Sequence, residues 1–199
     1  MWWPLWRECV PAFGTVVEAY LLSRGLELIV GAPLRFHPRC PRCPRCPRGA
    51  TERLPAMVAL MTDPVTGEPC GIHRTFLRSD GSGKAEGQAK MMAGSAGVIR
   101  LLPDEDVTLG FGLVEGIETG LSVMQRYGWR PIWAATSAGG IAHLPPLPGI
   151  EAVTIFADAD GAGHKAAAAC ASHWIGAGRE ARINLPPAGD FNDLHRSGG

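Results

Sequence analysis

"VTIFADADGAGHKAAAAC", Val153–Cys170, runs from four mostly apolar residues into two aspartates spaced Asp-x-Asp, then into glycines and an alanine-rich segment. The opening residues predict a buried strand, and the alanines predict a helix. Two carboxylates at the end of a buried strand crowd almost one point, where like charges raise each other's pKa. Such an arrangement calls for a positive partner, and the flanking segments show where it would come from.

Upstream, "VTLGFGLVE" is a strand that closes on Glu115, and "GIETGLSVMQRYG" is a helix with Ile117, Leu121 and Met124 on one side. "PIWAAT" is a second strand, and "SAGGIAHLPPLPG" a glycine turn with a short helix before prolines. Downstream, "EARINLP" is a fourth strand. Short apolar strands alternating with helices predict an α/β fold: a small doubly wound parallel sheet covered on both faces. In such sheets ligands bind outside the carboxyl ends of the strands. Glu115 closes the first strand, Ser137-Ala138-Gly139-Gly140 follows the second, and Asp158 and Asp160 close the third. Three acids from two separate segments are therefore expected on one rim.

Neither acidic motif carries a Lys or Arg before Lys165. The expected counter-charge is thus a cation from solution, and hard oxygen ligands choose Mg2+ or Mn2+ over zinc. Such ions clamp phosphates and stabilise charge during phosphoryl or nucleotidyl transfer. Competing motifs fail on count. An EF-hand loop starting at Asp158 would need ligands at Ala162 and Ala169. "RSDGSGKA" has Arg78 where a Walker loop has its first glycine and lacks the Ser or Thr after Lys84. "GFGLVE" lacks the last glycine of a dinucleotide fingerprint. Helix capping alone would explain one aspartate, not two plus Glu115.

"LVEGIETGLSV", "TSAGGIAHLP", "VTIFADADGAGHKAA" and "DFNDL" resemble, in order and spacing, the Toprim domain shared by topoisomerases and primases. The likeness is strongest to primases of phages, plasmids and other mobile elements, and it covers about Leu109 to Leu194. The resemblance implies that Glu115, Asp158 and Asp160 hold catalytic Mg2+. Bacterial replicative primases place an acid four residues past that Glu. Thr119 stands there, and its neighbour Glu118 is expected as a plain helix-surface acid.

Residues 1–105 are expected to form a smaller α+β subdomain, and residues 106–199 the Toprim-like domain. "GTVVEAYLLSRGL" predicts a helix stopped at Gly25. "LPAMVALMTDPVTGEPCGIHRTFL" predicts a hairpin, and "RSDGSGKAEGQAK" a polar Gly-rich loop. "WRECVPAFGTVVEAYLLSRGL", "LRFHP", "LPAMVALMTDP" and "GIHRTFL" also look like the region preceding Toprim in mobile-element primases. Arg74, Lys84 and Lys90 flank the hairpin and loop and are expected phosphate contacts, which bind nucleic acid without regard to sequence. Ser137, Gly139 and Gly140 could meet phosphate through backbone N–H groups, or form a plain tight turn.

In "HPRCPRCPRCPRG", His37, Cys40, Cys43 and Cys46 form a candidate zinc set. Proline at every third place favours polyproline II, however, with a rise of about 3.1 Å per residue and cysteines roughly 9 Å apart. Ligands of one zinc at about 2.3 Å lie much closer together. The expectation is an exposed basic loop presenting Arg39, Arg42, Arg45 and Arg48. Trp133 and Trp174 are expected in the core, and Trp2, Trp3 and Trp6 in docking the N-terminus or a neighbouring domain.

Residues 1–100 hold 13 Lys and Arg against 8 Asp and Glu, and residues 101–199 hold 6 against 11. A basic half joined to an acidic half suits an enzyme that grips a polyanion and collects cations. No apolar run reaches the roughly 18 residues that span a bilayer, and the opening lacks a secretory signature. The six cysteines then imply free thiols in a reducing cytoplasm.

The expected function is a Mg2+-dependent primase-type nucleotidyltransferase making short primers on single-stranded DNA from NTPs. Its expected partners are a replicative helicase or a separate zinc-binding domain. The alternatives are a Toprim nuclease using the same acids, or a non-catalytic module binding DNA or a helicase. A topoisomerase fits poorly, because the only tyrosines are Tyr20 and Tyr127, both in helical patterns. His73, His143 and His164 are general-base candidates.

Overall fold

Thr15, whose side-chain oxygen accepts from the Val17 N–H, starts the first long helix, and Gly25 in the left-handed region stops the chain after it. The computed structural model describes residues 2–42, 52–102, 107 and 109–197. The expected boundary between residues 105 and 106 falls outside them. The N-terminal part comprises α1 (Trp3–Arg7), β1 (Val10–Pro11), α2 (Val16–Ser23), β2 (Leu34–Pro41), β3 (Arg53–Thr62), β4 (Pro69–Phe76) and β5 (Lys90–Gly94). Its five strands pair antiparallel in chain order, with the predicted hairpin, β3 and β4, at the centre.

The second part begins with β6 (Ile99–Arg100) and continues through β7 (Gly110–Val114), α3 (Ile117–Tyr127), β8 (Ile132–Ala134) and α4 (Ala138–Ala142). It closes with β9 (Ala152–Phe156), α5 (Gly161–Gly176), β10 (Glu180–Asn184) and α6 (Phe191–Ser197). The sheet order is β10-β9-β7-β8-β6, with four parallel strands and β6 antiparallel at the edge. The predicted alternation of strands and helices is the observed one. The two-residue strands β1 and β6 carry no periodicity to be read and exist only through their partners.

Both faces of this sheet are covered. Val114, Ile132, Ala134 and Phe156 point toward α3 and α6, whereas Leu113, Trp133, Val153 and Ile155 point toward α4 and α5. The face under α3 continues into the N-terminal part, so Tyr20, Leu21, Met57 and Leu77 share one apolar cluster with Leu121 and Met124. Trp133 and Trp174 lie in the core as expected; the Trp174 indole donates to the Leu144 carbonyl at 3.3 Å. Trp6 is buried while Trp3 is exposed. Among the described residues no helix is long and apolar enough to cross a membrane.

The polyproline expectation needs correction over its first residues. His37 to Pro41 belong to β2, paired with β3 across an irregularity between His37 and Cys40. Arg39 faces solvent, but Cys40 is buried and His37 nearly so. Cross-strand hydrogen bonds outweigh the local preference set by proline. Cys43, Cys46, Arg45 and Arg48 lie outside the described residues.

A candidate metal and nucleotide site at the strand ends

In the second sheet the chain passes from β7 to β8 on one side and then returns to place β9 on the other. The crevice between β7 and β9 is the switch point at which α/β sheets bind ligands. Val114 and Phe156 are register partners, so Glu115 and Asp158 extend from the ends of adjacent strands. Neighbouring strands lie about 4.8 Å apart. Asp160 is the N-cap of α5, its Oδ1 accepting from the Gly163 N–H at 2.7 Å. Capping thus accounts for one of the two aspartates.

Asp158 has no such occupation. Its Oδ1 is buried without a hydrogen-bond partner among the described residues. Burial, then the facing carboxylates of Glu115, Asp190 and Asp160, push its pKa up to about 6. Burial also raises Glu115, opposed by Lys90. Asp190, in the "DFNDL" stretch, was not singled out from the sequence as a site residue. Its Oδ1 accepts from the Asp193 N–H at the start of α6, and its charge reaches Asp158. Gly163 permits this crowding, since a Cβ there would run into the Asp158 carbonyl oxygen. Gly163→Ala is expected to lower stability by about 1–3 kcal/mol, read by urea denaturation.

Among the described residues no group of three or more His, Cys, Asp or Glu is placed to hold a metal ion, so Glu115, Asp158 and Asp160 do not form a ready-made three-acid site. Mg2+ is commonly held by one or two carboxylates plus waters and substrate phosphates. The unpartnered Asp158 oxygen and the carboxylates crowded around it fit such a cation.

An acid with a raised folded pKa contributes stability below its ordinary range and loses it as pH rises through the folded value. In the metal-free protein Asp158 is therefore expected to contribute more stability as pH falls from 7.5 toward 5, whereas buried His73, low in pKa, loses stability over the same range. The Asp158 share is read as a difference: Asp158→Asn should raise Tm at pH 7.5 by about 2–4 °C after allowance for solvent screening, and by less at pH 5. Thermal melts of both proteins in chelator at several pH values check it, and a Tm difference that does not shrink between pH 7.5 and 5.5 would refute it.

The basic candidates divide. Lys84 and Lys90 both reach Glu118, at 2.9 and 3.7 Å, with side chains 33% and 44% exposed. The expectation of a helix-surface acid at 118 is overturned: Glu118 is only 4% exposed and also accepts from the Tyr20 hydroxyl at 2.6 Å. Burial alone would raise its pKa, but Lys90, Lys84 and Tyr20 together hold it well below the carboxylate range. The N-terminal part packs over the first turn of α3, which the helical pattern of residues 117–127 does not reveal.

Arg74 also needs correction as a phosphate contact. It is fully buried, donates to the Pro41 carbonyl at 2.8 Å and lies 5.6 Å from the Phe76 ring centroid. Its strand is paired on both edges and buried from Gly71 to Phe76, so no surface remains there for nucleic acid. Ser137 caps α4 by accepting from the Gly140 N–H at 3.0 Å. That N–H is occupied, and a Cβ on Gly140 would strike the Ala135 carbonyl oxygen, so Gly140 serves the tight turn. Ser137, Gly139 and Gly140 line one wall of a cleft of about 410 Å³ with Thr136 and His143.

Of the candidate zinc ligands, only His37 and Cys40 fall among the described residues. His37 Nε2 lies 3.2 Å from Glu8, and its Nδ1 accepts from the Arg39 N–H. Burial raises the Cys40 thiol pKa. Among the base candidates, His73 is buried with Nδ1 unpartnered among the described residues, and burial and then Lys90 lower its pKa to about 4. His164 faces solvent, while His143 Nδ1 meets the Gly139 carbonyl at 2.8 Å. Tyr20 is buried, whereas Tyr127 is nearly half exposed.

Residues 111–199 match the family model described as the Toprim domain. The C-terminal part is a Toprim domain. Residues 3–100 match a second family, described as a domain of unknown function (DUF7146). No curated protein sequence matches the chain. Among solved structures, the primase fragment of the bacteriophage T7 primase-helicase protein aligns with a TM-score of 0.62 at 18% identity, over 89% of this chain and 69% of that one. The Aquifex aeolicus primase (zinc binding and RNA polymerase domains) aligns at 0.63 and 17%, over 91% and 52%. A DNA primase domain from Pseudomonas aeruginosa aligns at 0.62 and 18%, over 94% and 68%. These alignments extend well beyond the Toprim domain, so the α+β part and the Toprim domain together share the fold of these primase fragments.

Proposed function

We propose that the protein is a primase-type nucleotidyltransferase that makes short primers from NTPs on single-stranded DNA. The observation that carries this reading is the Asp158 carboxylate, buried without a partner and faced by Glu115, Asp160 and Asp190 at the switch point of the Toprim sheet. The likeness in fold to three primase structures supports the choice of reaction.

Glu115 and Asp158, with Asp160 beside them, would hold Mg2+ or Mn2+. A bound divalent ion supplies charge stabilisation to the reacting phosphates. In the reaction the 3′-oxygen of one nucleotide bonds to the α-phosphorus of the next, and the bond from that phosphorus to the bridging oxygen of pyrophosphate breaks. The Lys84 and Lys90 side chains stay in partial contact with solvent on Glu118, Lys90 within electrostatic reach of Glu115, where they can meet the phosphates. Buried His73, low in pKa, stays neutral behind them. The basic character of residues 1–100 suits a polyanionic template. DNA and NTPs are thus the proposed partners, with a helicase or a separate zinc-binding domain as further ones.

The test incubates the protein with single-stranded template, labelled NTPs and Mg2+ or Mn2+, beside Asp158→Ala and Glu115→Gln. Short ribonucleotide products that require both acids support the proposal. Shortened template instead points to a nuclease, and neither product leaves a binding module.

A further inference from the structure

Three side chains of the N-terminal part converge on one carboxylate in the first turn of α3. Glu118 Oε1 accepts from Tyr20 at 2.6 Å and from Lys84 at 2.9 Å, and Oε2 faces Lys90 at 3.7 Å. The Glu118 side chain is 5% exposed, and those of Lys84 and Lys90 are 33% and 44%. The anchor is therefore dry while the charges it anchors remain wet. Lys90 Nζ would stand 3.7 Å from a Cβ on Gly116, the residue directly after Glu115. Two ammonium groups share one carboxylate, so one positive charge is left over at the edge of the acidic rim.

We propose that Glu118 is a positioning residue that fixes Lys84 and Lys90 beside the rim, aimed at the polyphosphate of a bound nucleotide. This rests on the nucleotidyl-transfer reading of the same site. A lysine is a point charge on a flexible stem and settles on the most favourable carboxylate in reach. Lys90 has Glu115 and Asp158 within electrostatic range, and neutralising them would place an ammonium where the divalent cation belongs. Glu118 prevents this. Tyr20 pins it from the apolar side, its helix fixes its backbone, and it offers both lysines a competing anion. The rim stays open to the cation, and the two ammonium groups stay at its border.

A purely structural ion pair would make no difference to ligand binding once the protein is folded, and this separates the two roles. The probe is inorganic tripolyphosphate in Mg2+ at fixed ionic strength, titrated by calorimetry. The proteins are wild type, Glu118→Gln, Lys84→Gln/Lys90→Gln and the triple variant, each checked for folding by circular dichroism. Loss of correctly aimed charge-assisted contacts should weaken binding by Glu118→Gln on the order of tenfold. In the background lacking both lysines the same change should do less than about twofold, because coupled residues are not additive.

Equal effects in both backgrounds overturn the proposal, as does wild-type protein that fails to bind tripolyphosphate. Should Glu118→Gln not fold, the single variants Lys84→Gln and Lys90→Gln decide: unchanged affinity in both sinks it, and weakened affinity in both supports it. The assay needs no template and no synthesis. Coupled binding without primer synthesis would refute only the polymerase reading, and synthesis without coupling only the role of Glu118.

Discussion

Asp158→Ala is expected to cut primer synthesis on the order of 10³-fold while the protein keeps its fold. The residue ends the strand beside the one carrying Glu115, and its buried oxygen has no protein partner among the described residues. Among the described residues none donates a hydrogen bond to its buried Oδ1, so its removal should not cost stability. The metal-free protein should instead melt higher, because an unfavourable charge is gone. Lower activity with higher stability is the mark of a site arranged for a ligand. The measurement pairs single-turnover extension rates with thermal melts of wild type and variant in chelator. Extension within about tenfold of wild type would remove Asp158 from the chemistry.

Glu118→Ala should act in the opposite sense and lower stability by about 3 kcal/mol. Removing one member of a buried ionic cluster strands the rest, here the Tyr20 hydroxyl on the dry side. The lysines moderate the loss, since both retain solvent contact and can be rehydrated. The cluster joins α2 and the Gly-rich loop to α3, so the loss falls on the contact between the N-terminal part and the Toprim domain. Urea denaturation should show a lower midpoint with an unchanged slope. The pH dependence has a fixed sign. With its folded pKa depressed, Glu118 contributes stability above the ordinary carboxylate range, and that contribution is lost as pH falls through the folded value. Glu118→Ala should therefore differ most from wild type at neutral pH and converge on it in strong acid. A variant as stable as wild type at pH 7 would show that the cluster contributes nothing.

Asp158 and Glu118 illustrate what could be read early. The strand-to-acid transition at Asp158 is local: an apolar run, a charge and a helix start lie within a dozen residues, so the pattern specifies their order. Glu118 sits in an equally regular helix, yet its burial comes from α2 and the loop that carries Lys84, about a hundred and about thirty residues away in the chain. No helical period encodes that. Arg74 misled for a related reason. "GIHRTF" reads as half-polar, but its strand lies between two others and is buried from Gly71 to Phe76, so the guanidinium was drawn into carbonyl contacts. A continuous buried run with one long cation was the available signal. Asp190 lay in a stretch already marked by resemblance, but its effect on Asp158 depends on how the chain after β10 returns to the rim.

The sequence alone determined the parallel alternation of the Toprim domain and the carboxyl-end placement of Glu115, Asp158 and Asp160, because period, glycines and strand direction are local and directional. Only the tertiary structure decided which charges are spoken for. Asp160 caps a helix and Asp158 does not; Arg74 is an internal tie, and Glu118 is the buried anchor of two lysines. The physical reason is that a charged group's role depends on whether water or a distant segment solvates it, and packing alone sets that.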